Sequence, residues 1–576
     1  MKYCGPLFFI KIINYNLDMT VREQLNSIAE SRIIILDGAM GSLIQVLNLD
    51  ENGYRGSLFA DHPVPLTGCN DVLCLTRPGA IGAIHDTYLE AGADIIETCS
   101  FNSTSISLAD YGLGHLSYEI SAEAAKIARK SADKFSNMGQ QRFVAGSIGP
   151  TAKGASLYPD INNPGKRAVT WDELEASYYD NARGLLDGGA DILLVETIFD
   201  TINAKAALRA IGRILEERKI DVPVMISAAV SGENGSLLSG QMLEAFLVSV
   251  FHSSPNAMPW SIGLNCSFNA PKLLPYVRQI SEITPCLVSA YPNAGIPNKF
   301  GRYEENPDIM TANITPYFEE GLVNIIGGCC GTTPAHIAAI ADKAHDFYPR
   351  EVIKRRGFNF WGVFSGLKSM RIPHNTIRLR NAAVAADKEE FHKALAKGEF
   401  EDAAEIARDI VEDNAAILNI EIIDKKAIDE KALNSFLDYA LMNPYIAKAP
   451  FFINSPYMSI LETGLKRLQG RCIAGPISLK DGEEKFLDNV RTIRSYGAVA
   501  VVLLIDERGN DGEKNVPEVN SAETNARKIE IAGRIFELLK KNNYPVDNVI
   551  FDPLVPEEDS LCLWIQDNCP GVIIAL

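Results

Sequence analysis

Along the first two-thirds of the chain, short apolar runs alternate with longer stretches in which apolar positions recur at helical spacing. The runs are RIIILDG (32–38), ADIIETCSF (93–101), RFVAGSIG (142–149), DILLVETIF (191–199), VPVMISAAV (222–230), SIGLNCSF (261–268), CLVSAYPN (286–293) and LVNIIGGCC (322–330). Short, nearly continuous apolar runs read as strands buried on both faces, the habit of parallel sheets. Helical stretches such as PGAIGAIHDTYLEAG and WDELEASYYDNARGLLDGG lie between them. Eight strand–helix units in succession predict a closed (β/α)8 barrel of the TIM type in preference to a doubly wound open sheet.

The basic and aromatic segment YPREVIKRRGFNFWGVFSG (348–366) breaks this rhythm and reads as a linker. A second βα series follows: TIRLRNAA (376–383), AAILNIEII (415–423), PFFINSP (450–456), RCIAGPIS (471–478), AVAVVLLIDERG (498–509), NVIFDPL (548–554) and GVIIAL (571–576). Seven strand-like runs predict a second tandem barrel that is degenerate and incomplete, with an open edge where the eighth strand should pair. The expected division is an amino-terminal extension (1–19), a first barrel (20–348), a linker (349–369) and a second barrel (370–576). The opening apolar run is broken by Lys11 and Asn14 and lacks a small-residue cleavage site, so a signal peptide is not expected. Met19 is an alternative translation start. No run reaches the length of a transmembrane helix.

Composition changes this picture little, with 47% hydrophobic and 22% charged residues. The formal net charge of −18 argues against a nucleic-acid partner, which calls for a basic footprint. Eleven cysteines are odd in number and sparse for 576 residues, which predicts free thiols in a reducing cytoplasm rather than a disulfide framework.

Polar and reactive residues gather at the carboxyl ends of the first eight runs: Asp37, Glu97, Thr98, Glu196, Cys266, Asn293, Cys329 and Cys330. In a barrel these ends open on one face, where barrel enzymes keep their active sites. The vicinal pair Cys329–Cys330 alone would read as two small buried apolar residues. Cys266 ends the sixth run, however, and only one strand separates it from the pair. Three thiolates suit Zn2+ with a fourth position open, and the chain has no CxxC pair of the structural kind. Coordination would deprotonate an incoming thiol, and three anionic sulfurs would keep it nucleophilic. Such a site suits alkylation of a thiol.

The segments LDGAMGS, GADIIETCSFNSTS, GSIGPT, VETIFDTINAKAA, GLNCSFNA, YPNAGIPN and GGCCGTTPAHIAAI, in this order, resemble the homocysteine-binding barrel of cobalamin-dependent methionine synthases. The resemblance runs from about 20 to 348. It implies zinc held by Cys266, Cys329 and Cys330, and homocysteine as the activated thiol. It also puts Asp37, Ser100 and Glu196 where the wider homocysteine methyltransferase family holds the amino acid's polar end. The chemistry is consistent: an ammonium calls for carboxylates, and a carboxylate for hydroxyl or backbone donors. The bland alternatives are a helix N-cap for Asp37 and a buried ion pair for Glu196. Tyr291 stands where histidine is expected in such relatives.

From about 370, GLKRLQGRCIAGPISLKDG, RSYGAVAVVLLIDERG, NARKIEIAGRIFELL and VIFDP resemble the pterin-binding folate barrel that follows in the same enzymes. The polar residues that would hold a pterin are altered. The family's GERTN, DIN, DSS and NSIS motifs are replaced by a first strand without them, Asn419 and Glu421, Asn454-Ser455-Pro456, and Gly475-Pro476; Asp506 and Asp552 remain. Each unpaired ring atom would cost about 1–3 kcal/mol, against about 8 kcal/mol for micromolar binding, so folate binding is not expected. No Asp-x-His-x-x-Gly corrinoid signature occurs at any of the eight histidines. The expected activity is zinc-dependent homocysteine S-methylation in methionine biosynthesis, with the methyl donor on a separate corrinoid protein. Direct transfer from betaine or S-methylmethionine, and a non-catalytic paralogue that binds homocysteine or a protein, stay open at this point.

Overall fold

The computed structural model describes residues 19–575, apart from 137–139, 161–162, 164, 300, 302, 353–361, 373–375, 380–382, 385–387, 413–415, 508–521 and 555–558. The expected extension up to residue 18 lies outside the described residues, as does much of the expected linker.

The first sheet has eight parallel strands: β1 (Ile34–Ile35), β2 (Ile95–Glu97), β3 (Phe143–Ile148), β4 (Ile192–Ile198), β5 (Val224–Ala228), β6 (Pro259–Asn269), β7 (Leu287–Asn293) and β8 (Ile325–Ile326). Each lies within or largely overlaps one predicted run. Sequential neighbours pair from β2 to β8, and β8 pairs with β1. A bridge between Leu36 and Ile95 and the hydrogen bond from Asp94 N to Ile35 O (2.7 Å) close the ring.

Strand residues point alternately inward and outward, and that period sorts the lumen into layers. Ile95, Phe143, Ala145, Ile192, Leu194 and Met225 form an apolar inner cluster. Val144, Leu193, Val195 and Ile226 face the surrounding helices. The helix Val21–Ser31, started by a Thr20–Glu23 capping box, sends Leu25 and Ala29 into the base of the lumen. Two residues further along each strand, the same alternation aims Glu97, Ser147, Glu196 and Ser227 at the opposite, carboxyl-end face. One periodic pattern thus builds both the apolar floor and the polar mouth.

The second sheet runs β11 (Thr376–Ile377), β18 (Ile573–Ala575), β17 (Val549–Asp552), β16 (Val499–Leu503), β15 (Ile473–Ile477), β14 (Phe451–Asn454), β13 (Leu418–Glu421), β12 (Ala383–Val384), all parallel. This corrects the strand count. The run 376–383 forms two short strands at opposite ends of the sheet, so eight strands are present instead of seven. The final run is not an open edge, because β18 pairs with β17 on one side and β11 on the other. Six residues span at most about 22 Å, less than the roughly 33 Å width of eight flat strands, so the sheet must curl. The ring is interrupted between β11 and β12, which make no pairing with each other among the described residues.

Part of the segment expected to be linker is a hairpin, β9 (Val363–Ser365) and β10 (Ser369–Arg371). Phe364 is fully buried against Ile377, Phe452 and Ile473, plugging the base of the second lumen. The hairpin also bonds to the first barrel, through Gln241 Nε2 to Gly366 O (2.9 Å), Met242 N to Leu367 O (2.8 Å) and Ser369 Oγ to Glu244 Oε2 (2.7 Å). The buried Lys205 reaches across as well, donating to Leu468 O at 2.9 Å. No helix among the described residues is long and apolar enough to cross a membrane.

Candidate active site

Cys266 lies near the end of β6, while Cys329 and Cys330 follow β8. Their sulfur atoms all lie within 4.8 Å of one another, with Cys266 Sγ 3.9 Å from Cys330 Sγ. Sulfurs bound to one tetrahedral zinc at about 2.3 Å would stand roughly 3.8 Å apart, so the cluster fits the ion. The three are partly exposed at the mouth, whereas the other seven described cysteines are buried.

The backbone is bent to achieve this. Cys266 and Ser267 both have φ near 56°, and Thr197 on β4 has φ 53°. Left-handed conformations in non-glycine residues are costly and persist only where their surroundings enforce them. Asn265 does so here: its Oδ1 accepts from Ser227 Oγ (2.7 Å) and Thr197 N (3.1 Å), and its Nδ2 donates to Thr197 Oγ1 (2.8 Å). The Cys329–Cys330 turn is fixed by Cys329 N to Pro292 O (2.9 Å), Ala294 N to Cys330 O (2.9 Å) and Thr332 Oγ1 to Cys329 O (2.7 Å). Two of its glycines are required. Gly331 has φ +82°, and a Cβ on Gly328 would sit 2.4 Å from Thr332.

The thiols titrate as a unit. Hydrogen bonds from Cys266 and then Cys329 hold Cys330 down to about 3, with Tyr303 contributing. Hydrogen bonds with Cys266 and Cys330, together with burial, push Cys329 well up. At Cys266 the bond with Cys329 acts downward, but the bond with Cys330 and burial prevail and raise it to about 11. Cys330 is held down at the expense of its two neighbours, and a divalent ion would displace the remaining thiol protons.

Beside the thiols, three carboxyl groups share the mouth. Asp37 is buried; its Oδ2 accepts from Glu97 N (3.0 Å) and its Oδ1 has no hydrogen-bond partner. The N-cap alternative fails, because the next helix, Met40–Val46, is capped by Ala39 without a side-chain bond. Burial pushes Asp37 well above the usual carboxylate range, and nearby Glu196 adds to the effect. Glu97 is raised by burial and by both other carboxyls. Burial lifts Glu196 to about 7, despite the bond it accepts from Ser147 Oγ (2.5 Å). Glu196 therefore has a hydroxyl partner rather than a basic one. Two buried acids and a half-buried one, without a cation beside them among the described residues, form a receptor for one.

Ser100 is fully buried at this mouth, but its hydroxyl donates to Ser147 O (2.7 Å) and meets Thr98 Oγ1 at 2.6 Å. It stitches β2 to β3 and does not offer its proton to the pocket. Tyr291 is buried beside Glu196 and Ser227.

A profile of the homocysteine S-methyltransferases matches residues 34–344, more than half of the chain. The chain belongs to the homocysteine S-methyltransferase family. It is a methyltransferase, with the first barrel as its family domain. Among solved structures, the metallated homocysteine methyltransferase MmuM of Escherichia coli is similar at 23% identity over 55% of this chain and 97% of that one, with a TM-score of 0.42. A B12-independent methionine synthase from Shewanella sp. W3-18-1, in complex with selenomethionine, is similar at 13% identity over 48% of this chain and 88% of that one, with a TM-score of 0.29.

Within this methyltransferase, sequence reasoning brought forward the cysteines, Asp37 and Glu196, which the fold gathers at one mouth. It gave no role to Glu97, Ser147 or Asn265. Glu97 already stood among the residues gathered at the run ends, and a period of two along the strands would have found the others: Ser147 follows Ala145, and Asn265 shares the inward face with Ser261 and Gly263. Tyr303 sits in the loop after β7, where no periodicity applies.

At the second mouth, Asn419 is buried with Oδ1 unpartnered, and Asn454 Nδ2 meets Glu421 Oε1 at 3.5 Å. Asp506 is paired with Arg527 (2.9 Å), and Asp552 accepts from Leu554 N (3.0 Å). Gly475 offers no side chain.

Proposed function

We propose that the chain is a zinc-dependent homocysteine S-methyltransferase of the methionine synthase type, taking its methyl group from a separate corrinoid protein. The observation that carries this is the convergence of three cysteine sulfurs beside three unneutralised carboxyl groups, two of them buried and the third half-buried. Cys266, Cys329 and Cys330 would hold the zinc, which keeps the homocysteine sulfur anionic at neutral pH. Asp37, Glu97 and Glu196 receive the α-ammonium. A cation between them lowers all three carboxyl pKa values and turns an unfavourable cluster into a binding contact. Asn265 holds the Cys266 turn, and the 329–332 turn fixes the paired sulfurs, so the substrate thiol meets a prearranged frame.

In the transfer, the substrate sulfur forms a bond to the methyl carbon as the carbon–donor bond breaks. The thiol proton leaves on binding, and methionine is the product. The second barrel supports an external donor, since its strand ends are altered, self-paired or empty where a pterin would need partners. The test is methionine formation from homocysteine with methylcobalamin, betaine, S-methylmethionine, or methyl-tetrahydrofolate plus a corrinoid protein, beside metal analysis. About one zinc per chain and turnover with methylcobalamin are expected. Turnover with betaine or S-methylmethionine alone would overturn the donor. Failure with every donor would leave a non-catalytic homocysteine-binding protein.

A further inference from the structure

Tyr291, near the end of β7, has no role in the reading above. It is 1% exposed, and its ring packs in the inner apolar cluster with Leu194, Met225 and Ile325. Cys329 lies against the same cluster. The Tyr291 hydroxyl is within hydrogen-bonding reach of Glu196 on β4 and Ser227 on β5.

The bonds its neighbours make decide what that hydroxyl can do. Ser227 Oγ donates to Asn265 Oδ1 (2.7 Å), so toward Tyr291 it acts as an acceptor. Glu196 Oε1 accepts from Ser147 Oγ (2.5 Å), and a carboxylate has capacity for further donors. Asn265 in turn donates to Thr197 Oγ1 (2.8 Å) and faces Cys329 Sγ at 3.9 Å. The phenol therefore has one proton and two acceptors, one in the carboxyl pocket and one on the side of the thiols.

A phenylalanine would fill the same space in the apolar cluster. What the oxygen adds is a donor, in a place where burying a polar group is unfavourable unless it is matched. Of the two acceptors, an ionised carboxylate is the stronger, because bonds to a charged group are roughly twice as strong as neutral ones. An ammonium entering the pocket ionises Glu196 and draws the phenol proton to it.

We propose that Tyr291 is a positioning residue that sets selectivity for an amine: its hydroxyl donates to ionised Glu196 and holds that carboxylate for the substrate ammonium. The site then prefers an amino thiol to the same thiol without its amine. This inference rests on the homocysteine reading and deepens it.

The test is calorimetric binding of two thiols to the zinc-loaded full chain: homocysteine, and 4-mercaptobutanoate, which keeps the thiol and carboxylate and lacks the amine. The parent should favour homocysteine at least about tenfold. Tyr291→Phe should weaken homocysteine about tenfold and leave 4-mercaptobutanoate as in the parent, a split that a purely structural role would not produce. Tyr291→Met removes the same hydroxyl with a more adaptable side chain, should the phenylalanine variant fail to fold. In a Glu196→Gln background, Tyr291→Phe should cause no further loss, because the two act as a unit. Tyr317→Phe, which removes a buried hydroxyl bonded to Ala270 O (2.6 Å) on the helix Pro307–Glu319, should keep the preference. Circular dichroism and zinc content identify variants that fold normally. A parent without the preference would sink the homocysteine reading and this inference with it. If the parent has it, a folded Tyr291→Phe or Tyr291→Met that retains it, or that weakens both thiols alike, overturns the role of Tyr291 alone. A further loss in the Glu196→Gln background would overturn it as well.

Discussion

The two barrels use the same alternation to very different ends. In the first, residues beyond the apolar floor are acids, two hydroxyls and an amide, ringed by three non-glycine residues in left-handed conformation. In the second, the corresponding positions hold Asn419, Glu421, Asn454, Gly475 and Asp552, and the acid Asp506 is already paired with Arg527. The first mouth retains unfavourable groups that a ligand would relieve; the second largely satisfies or removes its own. Strain of this kind persists only where the surroundings enforce it, and the contrast between the two mouths is what the experiments below can test.

The largest effect should come from the thiols. Cys329→Ser should reduce bound zinc from about one equivalent to almost none and lower methyl transfer by on the order of 10^3-fold. Cys472→Ser, at a buried thiol of the second barrel, should leave both unchanged. Full zinc retention in Cys329→Ser would remove the distinction between the barrels.

Asp37→Asn should raise the KM for homocysteine by about 10- to 100-fold, the effect of losing a charge-assisted contact. It should nevertheless raise Tm, because a buried acid with an unpartnered oxygen is removed. Asp506→Asn should do the reverse, costing about 1–3 kcal/mol of stability with KM unchanged. Equal destabilisation by the two substitutions, read from denaturant melts, would contradict the contrast.

A pH series sharpens it further. Glu196 is lifted by burial to about 7, above its unfolded value. Between about 4.5 and 7 the folded state binds more protons there than the unfolded one, so this group destabilises the fold as pH rises through that window. In metal-free protein, the stability gain of Glu196→Gln should therefore grow from pH 4.5 to 7 and stay level above. A gain independent of pH would mean that Glu196 is ionised throughout.

The smallest expected effect is no effect at all. Methyl-tetrahydrofolate should bind the full chain more weakly than ~1 mM. Low-micromolar binding by calorimetry would return the second barrel to pterin chemistry.

Much of this was legible before any coordinates. Uninterrupted apolar runs marked all eight strands of the first barrel, because parallel strands buried on both faces leave little ambiguity. Cys266 and the 329–330 pair were readable for the same reason: they end runs that the barrel must bring together. The direction of the Ser100 hydroxyl was not legible, since it is set by neighbours such as Ser147 and Thr98 that sequence position does not reveal. The run 376–383 looked like one strand because apolar spacing does not record which neighbour each residue pairs with; Thr376–Ile377 and Ala383–Val384 serve opposite ends of the sheet. The hairpin was hidden within a basic, aromatic stretch without clear alternation.

That hairpin has a consequence for how the molecule comes apart. Phe364 completes the base of the second barrel, while Gly366, Leu367 and Ser369 are bonded to the flank of the first. Pulling the second barrel open would bare its floor and break main-chain bonds of its neighbour in the same event. The halves should therefore melt as one cooperative unit, and a cut at residue 370 would remove part of the second barrel's own foundation.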